Sequence, residues 1–188
     1  MAKLTRRLLT MLLVPVSGVL IATALPAVPV QAAVINGVTL NASEATIVRL
    51  VNNARKNAGV APVRVTAGTT DVARRWARHM AANRVLKHNP SFASQVAKSG
   101  SPRWGRITEN VGYGSACNLN QLFQAYMKSP GHKKNILDSK VRYIGIGSVD
   151  RTTAGWPCGQ VWNTMNFVDS YSTSYGKNRV APTKQLNR

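Results

Sequence analysis

Apolar residues recur with helical spacing through the first two thirds of the chain and with strand spacing near its end. After Asn41-Ala-Ser-Glu44, which has the form of a capping box, Ile47, Leu50, Val51 and Ala54 repeat at i, i+3, i+4 and i+7 until Gly59 offers a stop. This spacing predicts a first helix. Thr70-Asp71 opens a second, with Val72, Trp76, His79 and Leu86 on one face and Arg74, Arg75 and Arg78 off it, so His79 is expected in the core. A third follows Cys117 on the stripe Leu119, Leu122, Phe123 and Tyr126. Ser129-Pro130-Gly131 closes it and starts a fourth through Leu137, with Ser129 as N-cap and Pro130 at the first position. The period then falls to two. Tyr143–Val149 and Gln160–Val168 alternate as half-buried strands, joined by a loop with Gly155, Pro157 and Cys158, and predict an antiparallel hairpin. Val161, Asn163, Met165 and Phe167 fall on one face of the second strand, Trp162, Thr164 and Val168 on the other. Residues 87–116 are rich in Gly, Ser, Asn and Pro and hold no period, which reads as a long functional loop.

The first 32 residues stand apart from this pattern. Lys3, Arg6 and Arg7 precede an uncharged run from Leu8 to Val30, and Val30-Gln31-Ala32 ends it with small residues. This is the form of an export signal cleaved after Ala32; an uncleaved anchor is the alternative, which Pro15, Pro26 and Pro29 disfavour. Arg6-Arg7 resembles the start of a twin-arginine signal, but Leu8-Leu9-Thr10 completes it poorly. The division expected is 1–32 signal peptide, 33–172 a single domain and 173–188 a basic, disordered tail with Lys177, Arg179, Lys184 and Arg188. Secretion is the expected destination, with retention at the cell envelope by charge.

Charge and cysteine content fit that destination. The chain has 188 residues with 25 basic against 6 acidic, a net charge of +19 and a pI near 11.2. Such an excess argues for anionic partners such as envelope polymers, lipid headgroups or nucleic acid, the last resting on charge alone. The only two cysteines, Cys117 and Cys158, are expected to form a disulfide in an oxidising compartment.

Local motifs give little chemistry. No His-Glu-x-x-His, Gly-x-Ser-x-Gly, phosphate-cradling loop or Cys-x-x-Cys is present. The residues that stand out are His88, Glu109, Asn110, His132 and Asn135. A carboxylate between two imidazoles can bind a divalent metal or orient the rings. Each also has a structural alternative: His88 as a helix C-terminal group, Glu109 paired with an Arg, His132 bonded to a backbone carbonyl.

The segments Leu86-Lys-His88-Asn89-Pro90, Glu109-Asn110-Val111-Gly112, Ser129-Pro130-Gly131-His132-Lys-Lys-Asn135-Ile136-Leu137 and Tyr143-Ile144-Gly145-Ile146-Gly147 resemble, in order, the motifs of the CAP superfamily. These are the cysteine-rich secretory, antigen 5 and pathogenesis-related 1 proteins, here closest to the bacterial secreted branch. The resemblance covers about residues 40–170. It implies an α+β fold, a three-layer α-β-α sandwich with a central antiparallel sheet and a cleft. His88, Glu109 and His132 would take three of four polar places in that cleft, with Asn110, Asn135 and Ser129 in support. The fourth place, an acid on the helix before the second His, is missing; Ser129 and Gln124 are the nearest polar substitutes, and Thr108 stands where a Gly often precedes the Glu. The resemblance implies a monomeric binding module whose cleft, with apolar surface near Trp104, Tyr113 and Trp156, holds a lipid or envelope-derived ligand. A divalent metal such as zinc at His88, Glu109 and His132 is the associated cofactor expectation. The alternative is an extracellular hydrolase with the same three residues as catalytic candidates; a polyanion or nucleic-acid binder is the weaker one.

Overall fold

A computed structural model describes residues 33–101, 103–153 and 156–172, with side chains of 153–157 outside that set. The expected signal peptide and the basic tail both lie outside the described residues. The elements run β1 (Ala33–Ile35), β2 (Val38–Leu40), α1 (Ala42–Asn57), β3 (Arg64–Val65), α2 (Ala67–Asn83), α3 (Phe92–Lys98), β4 (Ile107–Ser115), α4 (Leu119–Lys128), α5 (Pro130–Leu137), β5 (Tyr143–Thr153) and β6 (Trp156–Val168). No helix among the described residues is long and apolar enough to cross a membrane.

The central sheet has the order β3-β5-β6-β4 and is antiparallel except for the short pairing of β3 with β5. On one face Ile47, Val48 and Val51 of α1, Leu122, Phe123 and Tyr126 of α4 and Ile136 of α5 pack on Ile144, Ile146, Val161, Met165 and Phe167. The other face carries α2 and α3, where Val72 and Val96 pack on Val168, and Met80 and Ala81 pack on Val111 and Trp162. The hairpin is thus the middle of three layers. Residues Val161–Val168 of β6 are buried on both faces rather than half-buried as expected, because helices cover both sides.

The first helix follows its capping box: the Asn41 side chain accepts from Glu44 N at 2.8 Å and Glu44 Oε2 accepts from Asn41 N at 3.0 Å. Gly59 takes φ +68° just beyond it. Within α1, Arg55 is fully buried and donates to four carbonyls, those of Ala61, Ile136, Asp138 and Val141. It ties α1 to the turn between α5 and β5.

Helix α2 departs from the sequence reading. It begins at Ala67 rather than Thr70, and its buried side is made of small residues: Thr69, Thr70, Val72, Ala73 and Ala77, with Met80 near the end. A Cβ on Gly145 or Gly147 of β5 would run into the backbone at Thr69 or Ala73, so the helix lies directly on the strand. His79 is therefore not a core residue; it is exposed and stacks on Trp76 with ring centroids 4.5 Å apart. Leu86 lies beyond the helix and is 46 % exposed.

Residues 87–116 are not one loop. They contain α3 and the nine-residue β4, which pairs with β6 from Ile107↔Val168 to Ser115↔Gln160. The hairpin β1–β2 turns at Asn36 and Gly37, both at positive φ, and Asn36 Oδ1 accepts from Val65 N at 3.0 Å. The disulfide expected between Cys117 and Cys158 is present, with Cα atoms 5.4 Å apart. It closes a separation of 41 residues, which is worth about 4 kcal/mol in the chain-entropy model.

Candidate functional site

Strand β4 is an edge of the sheet, and the candidate residues reach it from both layers. On the α2 side, Arg84 takes the left-handed conformation (φ 53°) at the helix C-cap and turns the chain. The segment that follows brings His88 and Asn89 over Glu109. Asn89 is buried, and its side chain accepts from Ser91 N at 3.0 Å and donates to Gln95 Oε1 at 3.2 Å, which holds the segment in shape. On the opposite side, Pro130 starts α5 and places His132 in its first turn.

Glu109 Oε1 accepts from Asn89 N at 2.9 Å and lies 2.8 Å from His88 Nδ1. In the neutral ring, contact with an ionised carboxylate selects the tautomer with the proton on Nδ1 and the lone pair on Nε2. The carboxylate side chain is only 4 % exposed while the imidazole is 65 % exposed, so the dyad is an acid underneath and an open ring above. Burial raises the proton affinity of Glu109, and the bonds from Asn89 and His88 only partly offset it. Its second oxygen, Oε2, is buried with no hydrogen-bond partner. Directly opposite in the register sits Asn166. Asn166 is fully buried, with neither its amide oxygen nor its nitrogen bonded. The sequence reading passed over Asn166, since an amide within the apolar run Val161–Val168 acquires meaning only once the strands are paired.

His132 is held by different means. Its carbonyl accepts from Asn110 Nδ2 at 3.1 Å, and Asn135, one turn further along α5, donates to Asn110 Oδ1 at 2.8 Å and to Glu109 O at 3.4 Å. Asn110 and Asn135 therefore latch α5 to β4. The His132 ring meets Tyr126 edge-on at 5.2 Å. Tyr126 is buried and donates to Asn163 Oδ1 at 3.0 Å, and a Cβ at Gly112 would sit 2.5 Å from its hydroxyl. Burial first, and then the nearby charge of His88, lowers the proton affinity of His132. Ser129 occupies the N-cap of α5 by its backbone but makes no side-chain cap bond; Gln124 is exposed on α4.

Among the described residues no three His, Cys, Asp or Glu side chains assemble into a metal-ligand group. Glu109 uses Oε1 on the protein and buries Oε2, which leaves the two imidazoles, His88 and His132, as the open donors. The residues present do not fit a three-ligand centre.

Trp104 and Tyr113 lie toward opposite ends of β4. Trp104 precedes β4 and Tyr113 lies six residues beyond Ile107, roughly 20 Å along the strand. Tyr113 stacks on Trp162 at 5.0 Å. The Trp156 side chain lies outside the described residues.

The arrangement of layers, edge strand and motif residues has counterparts. A model of the cysteine-rich secretory protein family, CAP, matches residues 48–162, more than half of the chain. The chain belongs to the CAP family. Over 133 residues this CAP protein is 27 % identical to protein YkwD of Bacillus subtilis (strain 168), a match covering 69 % of this chain and 48 % of that protein. It thus spans about half the length of the curated relative it matches. Among solved structures, an extracellular protein containing an SCP domain from Bacillus anthracis str. Ames superposes with a TM-score of 0.57 at 20 % identity, covering 68 % of this chain and 40 % of that one. An outer surface protein from Borrelia burgdorferi gives 0.55 at 17 % identity, covering 67 % and 91 %. At these identities the two structures support the CAP fold.

Proposed function

We propose that this CAP protein is an extracellular binding module that takes an amphiphile, a lipid or lipid-like envelope component, at the His88–Glu109 edge of β4. The observation that carries the reading is the company the open imidazole keeps. Leu86, two residues before His88, and Tyr113, on the same face of β4 as Glu109, are both 46 % exposed. An oriented polar group flanked by uncovered apolar side chains suits a ligand with a polar head and an apolar body. The export-type segment at residues 1–32 and the extracellular and outer-surface descriptions of the two structural relatives support the location.

The hydrolase reading draws on one feature, the lowered proton affinity of His132, which keeps the ring neutral and able to accept a proton. No Ser, Cys or Thr nucleophile is bonded to either imidazole in the described residues, so binding is the better supported. The test is titration of the purified protein with dansyl-undecanoic acid and its displacement by palmitate. Saturable binding weakened about fivefold or more in Tyr113→Ala and His88→Ala supports the reading; no saturable binding overturns it. Zinc titration of the same proteins separates the alternatives, since one-to-one binding lost in His88→Ala would restore a metal role.

A further inference from the structure

We propose that the cleft beside Trp104 is a second binding site, for an acidic sugar, separate from the His88–Glu109 edge. It encloses about 400 Å3 where β4 begins and β6 ends, and is lined by Trp104, Gly105, Arg106, Ile107, Lys140 and Asp169. Trp104 is 36 % exposed, so an indole is held open in a cleft whose other walls are mostly polar or charged.

The charges around it are unevenly spent. Asp169 accepts from Gly105 N on both carboxylate oxygens at 3.1 Å. Asp138 accepts from Lys140 N at 2.9 Å and stands 3.2 Å from Arg106 Nε. Both acids are thus engaged chiefly with backbone or with Arg106. Among the described residues the Lys140 ammonium has no carboxylate within ion-pair distance. Among the described residues the terminal nitrogens of Arg106 have no hydrogen-bond partner, although Asp138 pairs its guanidinium through Nε. Lys140 thus brings the cleft a positive charge without an ion-pair partner, Arg106 still has donors to offer, and Asp169 still has lone pairs.

Each lining group selects against a simpler ligand. A bare polyanion has no use for the indole and is repelled by Asp169; an acyl chain has no use for three charged groups; a neutral sugar leaves Lys140 unpaired. A pyranose bearing an acid satisfies all of them: its C–H face covers Trp104, its acid meets Lys140 and Arg106, and a ring hydroxyl donates to Asp169. The acid can be the carboxylate of a uronic acid or the phosphate of a sugar phosphate.

The experiment is calorimetric titration of the purified protein with a hyaluronan hexasaccharide, with glucose 6-phosphate, with chitohexaose and with inorganic polyphosphate. One or both acidic sugars are expected to bind one-to-one, about tenfold more weakly in Trp104→Ala and about fivefold more weakly in Lys140→Gln, with partial recovery in Trp104→Phe. The two acidic-sugar arms tell carboxylate from phosphate. Both mutated side chains are exposed, and an unchanged melting temperature confirms that the variants are folded. The proposal fails if neither acidic sugar binds, if chitohexaose binds as tightly, if Trp104→Ala binds like wild type, or if polyphosphate reproduces the binding and its dependence on both residues. Because the dansyl-undecanoic acid assay reads the other site, loss of one binding leaves the other measurable.

Discussion

Glu44 and Glu109 are two of only six acids in the chain, and the fold treats them in opposite ways. Glu44 is fully buried, and each of its oxygens has at least two donors. Oε1 accepts from Arg74 Nε at 2.8 Å and Ser148 N at 3.3 Å, and Oε2 from Arg74 Nη2 at 2.6 Å and Asn41 N at 3.0 Å. Glu109 is buried nearly as deeply, yet both its donors crowd onto one oxygen and the other has none. Depth of burial is therefore a poor guide to what a carboxylate is for. Completeness of its hydrogen bonding separates a clamp between α1 and α2 from a group left with unused capacity beside an open imidazole.

The sharpest way to break this contrast is Glu44→Ala, which strands Arg74 and two backbone donors. A loss of about 3 kcal/mol is expected in urea denaturation; a loss near zero would mean that the pairing does not clamp the helices. Glu109→Gln keeps an acceptor for Asn89 N and removes a poorly compensated charge, so stability should change by no more than about 1 kcal/mol while amphiphile binding falls. A cost equal to that of Glu44→Ala would make Glu109 structural as well.

The pH dependence should separate the two sides of the β4 edge. The Glu109 carboxyl holds its proton more tightly in the native state, so its contribution to stability is complete below the ordinary range near 4.5 and is lost as pH rises through the raised native value. The reverse holds for His132, whose contribution is complete above about 6.5 and lost as pH falls through the lowered native value. Melting curves from pH 3 to 8 should show the wild-type advantage over Glu109→Gln shrinking toward alkali, and over His132→Asn shrinking toward acid. Each unit of pKa displacement is worth about 1.4 kcal/mol, and curves parallel to wild type would refute the assignment. The smallest effect is expected from Asn166→Leu: an amide with no partner has little to lose, so stability should hold or rise by up to about 1 kcal/mol. A large loss would show that Asn166 does bond Glu109 Oε2 in solution.

Features written locally in the chain were legible in it. The capping box at Asn41 and Glu44, the apolar stripe of α4 and the Ser129-Pro130 junction all depend on neighbours within a few residues, and all three elements form where expected. The hairpin was readable for the same reason, although β5 and β6 run several residues beyond the alternating segments. What depends on distant partners was not legible. The seat of α2 is set by Gly145 and Gly147, some seventy residues away, so His79 looked like core when the contact surface with the strand is Thr69, Ala73 and Ala77. Strand β4 lacks alternation because its Glu, Asn and Gly answer to His88, α5 and Tyr126 rather than to water. His88 and Glu109, both singled out from the sequence, are in hydrogen-bond contact. That Glu109 lies beneath the ring, with Asn166 opposite, required the strand register.

The bond from Val65 N–H to Asn36 Oδ1 bears on self-association. Arg64 N and Thr66 N donate inward, to Arg142 O just before β5 and to Ile144 O within it, so the Val65 N–H points off the sheet, where another chain could begin to pair. The Asn36 amide, carried there by the tight turn of the first hairpin, occupies that donor. Replacing Asn36 with Ala would free it, at little cost to the core, and would leave a strongly cationic protein relying on charge repulsion alone to keep this border from templating an intermolecular sheet.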